Sequence, residues 1–99
     1  REQNIRAANA VATYISKVDS KDVIMSLVNP YEHLRGELKK HNAGQTLEIM
    51  LSSSRELRKE YHVEDFETGT PRFVINTDRP IEATFESLKA CITKKDYYS

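Results

Sequence analysis

DVIMSLVNPYEHLRGELKKHNAGQTLEIML, residues 22–51, changes its hydrophobic period twice, and those changes decide the fold class. Asp22 to Val28 is a nearly continuous apolar run, the pattern of a strand buried on both faces. Asn29-Pro30 breaks it. Residues 31–41 place Tyr31, Leu34 and Leu38 on one face at helical spacing. His41-Asn42-Ala43-Gly44 ends that helix, with Gly44 suited to a left-handed cap. Thr46 to Leu51 reads as a second strand.

The same alternation continues on both sides. Residues 2–17 space Ile5, Ala8, Ala12 and Ile15 as one face of a helix, and residues 18–21 read as a turn. Ser52-Ser53-Ser54 is able to start a short helix through Arg55 to Glu60. Residues 61–71, with Gly69 and Pro71, read as a loop, and Arg72 to Asn76 as a third strand. Thr77-Asp78-Arg79-Pro80 has the chemistry of a helix start, and Ile81, Phe85, Leu88 and Ile92 line one face of a last helix. The order α-β-α-β-α-loop-β-α predicts an α/β domain: a three-layer parallel sheet with helices on both faces.

With 99 residues the chain makes one domain. Fifteen basic and fifteen acidic residues cancel, which argues against binding nucleic acid or a membrane through a charged field. The single cysteine, Cys91, excludes an internal disulfide framework and a zinc cage built from cysteines, and its place on the apolar side of a helix reads as core packing. No apolar run approaches the roughly 18 residues that span a bilayer, and no signal-peptide pattern is visible. A cytoplasmic, reducing compartment is the expectation. The chain opens at Arg1 directly in a helical pattern, so the expectation is a missing strand and helix before it.

Ligands of open α/β sheets bind beyond the carboxyl ends of the strands, which singles out residues 28–31, 51–53 and 76–78. Arg1 and Asn4 lie three apart, so a helix puts both on one face; a guanidinium fork beside a carboxamide suits a phosphate or sulfate, and a solvated helix start fits the spacing as well. In Asn29-Pro30-Tyr31-x-x-x-Arg35, a strand turning into a helix would leave backbone N–H groups for an anion, with Tyr31 able to pack on a flat ring; an ordinary turn fits equally. Arg55, Arg58 and Lys59 form either a group reaching over phosphates or a charged helix face. Glu64, Asp65 and Glu67 lack metal-ligand spacing and read as a solvated loop, and no metal ligand set is assigned. Gly36, Gly44 and Gly69 form no G-x-x-x-x-G-K-[ST] loop, so no nucleotide-phosphate cradle is written in the chain.

REQNIRAANAVATYI (1–15) resembles the D-R-x-x-N-I-R-R helix of adenylylsulfate kinases. DVIMSLVNPYEHLRGEL (22–38) resembles the family's strand ending in I-S-P-Y-R, LEIML (47–51) its E-V-Y-V strand, and INTD (75–78) its I-D-T. The resemblance runs in register over roughly residues 1 to 92. It implies a P-loop nucleoside-triphosphate-hydrolase-like fold, of which residues 1–99 would be the C-terminal two-thirds, without the N-terminal strand and P-loop. It implies transfer of the γ-phosphoryl of ATP to the 3′-hydroxyl of adenosine 5′-phosphosulfate in the intact protein, with ATP and Mg²⁺ held by the missing N-terminal region. Arg1 and Asn4 match the substrate-holding R-x-x-N pair, and Val28, Asn29, Pro30 and Tyr31 the substrate-side turn. Asn29 stands where many members carry a serine assigned as a phosphorylated intermediate, a role Asn cannot take and in-line transfer does not need. Residues 58–62, Arg58-Lys59-Glu60-Tyr61-His62, occupy the stretch of the K-G-L-Y lid, which makes Arg58 and Lys59 the expected groups on the ATP phosphates. A homodimer is left open. The alternatives are a related kinase of another small acceptor, and a non-catalytic nucleotide- or protein-binding module.

Overall fold

The computed structural model describes residues 1–54 and 66–99. Helix α1 covers Glu2–Val18, α2 Glu32–His41 and α3 Ile81–Ile92. Strands β1 (Ile49–Ser52) and β2 (Phe73–Asn76) pair in parallel, with Ile49 opposite Phe73 and Ser52 opposite Asn76. A 3₁₀ turn, Lys95–Tyr97, follows α3.

The three helices form where the periodicity puts them, and two of them bury the expected faces. Ile5 and Ala12 of α1 are buried, and Leu34 of α2 is 0 % exposed. Asn9 adds a polar tie, its Nδ2 donating to the Leu34 carbonyl at 3.0 Å. Farther along, Asn42 Nδ2 donates to Thr13 Oγ1 at 2.9 Å. At the opposite end Glu2 faces His33 at 3.7 Å, and Arg6 faces Glu37 at 3.7 Å. Residue numbers therefore rise together along both helices, so α1 and α2 lie side by side and point the same way. Residues 19–31 must return along the whole of α1, about 25 Å for a helix of that length.

That return path is where the sequence analysis places its first strand, and here the fold expectation is corrected. Residues 22–28 form no strand; Val23, Ile24, Leu27 and Val28 are all exposed, Ile24 at 88 %. A strand is defined by the ladder it joins, and among the described residues no neighbour pairs with this run. The sheet has two strands, not three or more, and no three-layer P-loop arrangement is present among the described residues. α3 packs against β2, while α1 and α2 pack on each other. The expected apolar face of α3 is accordingly half covered: Cys91 is buried, whereas Ile81, Phe85 and Ile92 face solvent. So small a sheet has too little area to cover a whole helix face.

Local chemistry explains the ends. Gly44 takes φ +74 in the turn after α2, which closes with Gln45 N–H on the Asn42 carbonyl at 3.0 Å. The C-terminal residues dock back on the sheet side: Thr46 and Ser99 exchange backbone hydrogen bonds at 3.1 and 2.7 Å, and the Tyr97 ring meets Phe73 edge-on at 5.2 Å. Among the described residues no helix is long and apolar enough to cross a membrane.

Leu34→Ala removes the one large side chain that is wholly enclosed among the described residues, and is expected to cost about 2–5 kcal/mol, read as a lower thermal midpoint. Ile24→Ala should change stability by no more than about 0.5 kcal/mol. Equal losses from the two substitutions would mean that residues 22–28 are packed in solution.

Candidate functional site

The turn between the return segment and α2 is held from within. Asn29 Oδ1 accepts the Tyr31 N–H at 3.2 Å, an Asx turn that uses the short carboxamide to fold its own backbone. Pro30 is buried beneath it, and its carbonyl accepts the Glu67 N–H at 2.9 Å. Glu67 answers with its side chain, Oε1 accepting the Glu32 N–H at 2.8 Å.

Arg35, one turn into α2, binds these pieces together. Its Nη1 donates to the Asn29 carbonyl at 2.7 Å, and its Nη2 to the Glu67 carbonyl. Its Nε lies 3.3 Å from Glu48 Oε2 as an ion-pair contact without an aligned hydrogen bond, and Lys39 Nζ reaches Glu48 Oε1 at 2.5 Å. The guanidinium also covers the Phe66 ring at 5.4 Å. The Arg35 and Glu48 side chains are only 12 % and 16 % exposed, so this pair is little screened by solvent. Gly69 passes close by with φ +59; a Cβ there would sit 2.9 Å from Glu32 Oε1 and 3.2 Å from Arg35 Nη2.

This arrangement corrects the expectation of free backbone N–H groups at the turn. The N–H groups of Tyr31 and Glu32 are taken by Asn29 Oδ1 and Glu67 Oε1. Glu67 lies exposed in a loop, as expected, and its carboxylate also occupies the anion position at the start of α2.

The first turn of α1 stands beside this turn. Glu2 touches both Arg6, at 3.8 Å, and His33, at 3.7 Å, and the His33 ring lies 5.9 Å from that of Tyr31. These half-exposed pairs contribute little energy each, but they fix which ends are neighbours. Arg1 and Asn4 are exposed, and neither side chain has a hydrogen-bond or ion-pair partner among the described residues. Val28 is exposed and Tyr31 half-buried. Residues matched to the substrate side thus gather at one end of the helix pair: Arg1 and Asn4 from α1, residues 28–31 from the turn. Arg58 and Lys59, with the expected short helix around them, lie outside the described residues.

A second cluster closes the carboxyl ends of the strands. Thr77 gives its N–H and its hydroxyl to the Ser52 carbonyl, at 2.7 and 3.1 Å. Asp78 accepts from Ser53 Oγ and from the Ser54 N–H, each at 2.8 Å, while its own N–H binds Asn76 Oδ1 at 2.7 Å. Arg79 reaches back to the Asn76 carbonyl at 3.3 Å and to Ser87 Oγ at 2.9 Å. The carboxylate of Asp78 therefore pins the segment after β1 to the segment after β2. Sequence reasoning marked Asp78 by topology, within residues 76–78, without giving it a partner, and it missed Glu48. Each acts on a partner far away in the chain, and an Asp after Asn-Thr is the only local signal.

Among the described residues no three His, Cys, Asp or Glu side chains gather as a metal site would require, and none of the glycines lies in a phosphate-cradling loop. The described residues do not fit ATP with Mg²⁺. No family model, no curated protein and no solved structure matches this chain.

Gly69→Ala is expected to destabilise the fold by about 1–2 kcal/mol, because alanine is strained at this positive φ and meets a guanidinium held on two carbonyls. Gly36→Ala, inside α2 with open space around it, should instead stabilise by about 0.5–1 kcal/mol. Urea unfolding of the two variants gives both signs.

Proposed function

We propose that this chain binds adenosine 5′-phosphosulfate and serves as the acceptor-binding part of an ATP-dependent phosphotransferase of the adenylylsulfate kinase type, whose product is 3′-phosphoadenylylsulfate. The observation that carries the reading is the meeting of two separated motif segments, Arg1-x-x-Asn4 and residues 28–31, at one end of α1 and α2. The resemblance in sequence supports the choice of acceptor, and a cytoplasmic location goes with it.

Each residue has a task set by its chemistry. Arg1 presents a planar fork of N–H donors with no partner among the described residues, suited to two oxygens of the phosphosulfate. Asn4, one turn along, offers a donor and an acceptor on the same face. Tyr31 supplies a half-buried aromatic surface for the adenine ring. Asn29 does not act as a nucleophile: its carboxamide is used in the turn, and a carboxamide forms no phosphoryl ester. Its contribution is to hold Tyr31 in place. These residues would hold the nucleotide and orient its 3′-hydroxyl, so their work is positioning and charge neutralisation.

Calorimetric titration of the chain with adenosine 5′-phosphosulfate should show saturable binding. Arg1→Ala removes a charge-assisted contact worth about 1.5–3 kcal/mol and should weaken binding at least about tenfold without loss of helical circular dichroism. Adenosine monophosphate, which lacks the sulfate, should lose most of the Arg1 dependence. Unchanged affinity in Arg1→Ala, or no binding at all, would contradict the proposal.

A further inference from the structure

Helix α3 carries an apolar face that the two-stranded sheet leaves open. Ile81, Phe85, Leu88 and Ile92 follow one another at steps of four, three and four residues, so they line one side of the helix. Ile81 is 78 % exposed, Phe85 56 % and Ile92 43 %, and Leu88 is half-buried. The buried Cys91, with the half-buried Thr84 and Ser87, lies on a different side of α3 and faces the protein. The spacing of the open side is that of a seam along which two helices pair.

The charges beside the seam say what it pairs with. Glu82 follows Ile81 and Lys89 follows Leu88, so both stand on the same flank, seven residues apart. Glu82 is exposed and makes no ion pair among the described residues. Lys89 is exposed as well, with its Nζ 2.8 Å from Glu86 Oε1 and 4.9 Å from the centre of the Phe85 ring. Its ammonium group therefore already lies at the rim of the apolar face. When a second α3 lies end for end against the first about a twofold axis, Ile81 meets Ile92 of the second copy and Phe85 meets Leu88. Glu82 of each copy then comes beside Lys89 of the other, and the two helix dipoles oppose.

We propose that α3 is a homodimer contact, in which two copies of this chain pair antiparallel through Ile81, Phe85, Leu88 and Ile92, with Glu82 of each copy opposite Lys89 of the other. A net charge of zero leaves no overall repulsion between the copies. Ile81, Phe85 and Ile92 expose on the order of 350 Å² of apolar surface, under half of the roughly 800 Å² that a standard-sized interface takes from each partner. The pair is accordingly weak and reversible. None of these residues belongs to the nucleotide end, so the pairing stands apart from the function proposed above.

The test is sedimentation equilibrium of the full chain from about 10 μM to about 1 mM, a range that covers weak dimers. The mean mass should rise from 11.4 kDa toward twice that value and go no higher. Ile81→Gln, at an exposed position, should keep the helical circular dichroism and weaken the dimer at least about tenfold. E82K and K89E should each weaken it about tenfold, because each sets like charges against each other at two symmetric places. The double variant E82K/K89E should recover most of the loss. Recovery reads contact between copies, since residues seven apart on one helix do not touch. A monomer at every concentration would overturn the proposal, as would assemblies that grow without limit. So would a dimer that Ile81→Gln leaves unchanged, or charge variants whose combination restores nothing.

Discussion

Arg35 carries the connection between parts of the chain that are remote in sequence. One guanidinium grips the carbonyls of Asn29 and Glu67, faces Glu48 and covers Phe66. It thereby ties α2 to the turn before it, to the segment that leads into β2, and to the residue just ahead of β1. Such a node is costly to assemble, since a nearly buried charge must replace all of its water contacts. Its geometry meets that demand with two carbonyl acceptors and a carboxylate. The close passage of Gly69 follows from it, because a side chain there would strike the guanidinium. So does the fixed position of Glu67, whose carboxylate closes the first turn of α2.

The helices were legible because their signal is local. Ile5, Ala12 and Leu34 recur at helical spacing and are the residues that end up enclosed. Residues 22–28 show the limit of that signal. A continuous apolar run states a preference for a strand buried on both faces, but whether a ladder exists depends on chain elsewhere. Here the run follows the return path that such a strand would take between two parallel helices, without a neighbour to pair with among the described residues. The same shortage of sheet explains why Ile81 and Phe85 of α3 remain exposed although their spacing marks a core face.

The candidate site divides in the same way. Arg1 and Asn4 on one helical face, and a turn at Asn29-Pro30, were both readable from spacing. That the turn's N–H groups are already occupied was not, because one of the occupants, Glu67, lies 35 residues from Glu32. The consequence is chemical. An anionic ligand at this end finds its charge partner in the side chain of Arg1 and not in the first-turn amides of Tyr31 and Glu32. At this end of the helix pair Arg1 and Asn4 are exposed donor side chains without a partner among the described residues.

The central claim is that the first turn of α1 and the turn into α2 form one binding surface. The most direct measurement is a map of backbone amide shifts on adding adenosine 5′-phosphosulfate to the full chain. The account predicts that the amides of Asn4, Ile5, Tyr31 and His33 move together along one binding curve, while Thr77 and Asp78 stay still. Shifts confined to the strand ends around Ser54 and Asp78, or separate curves for the two helix starts, would contradict it.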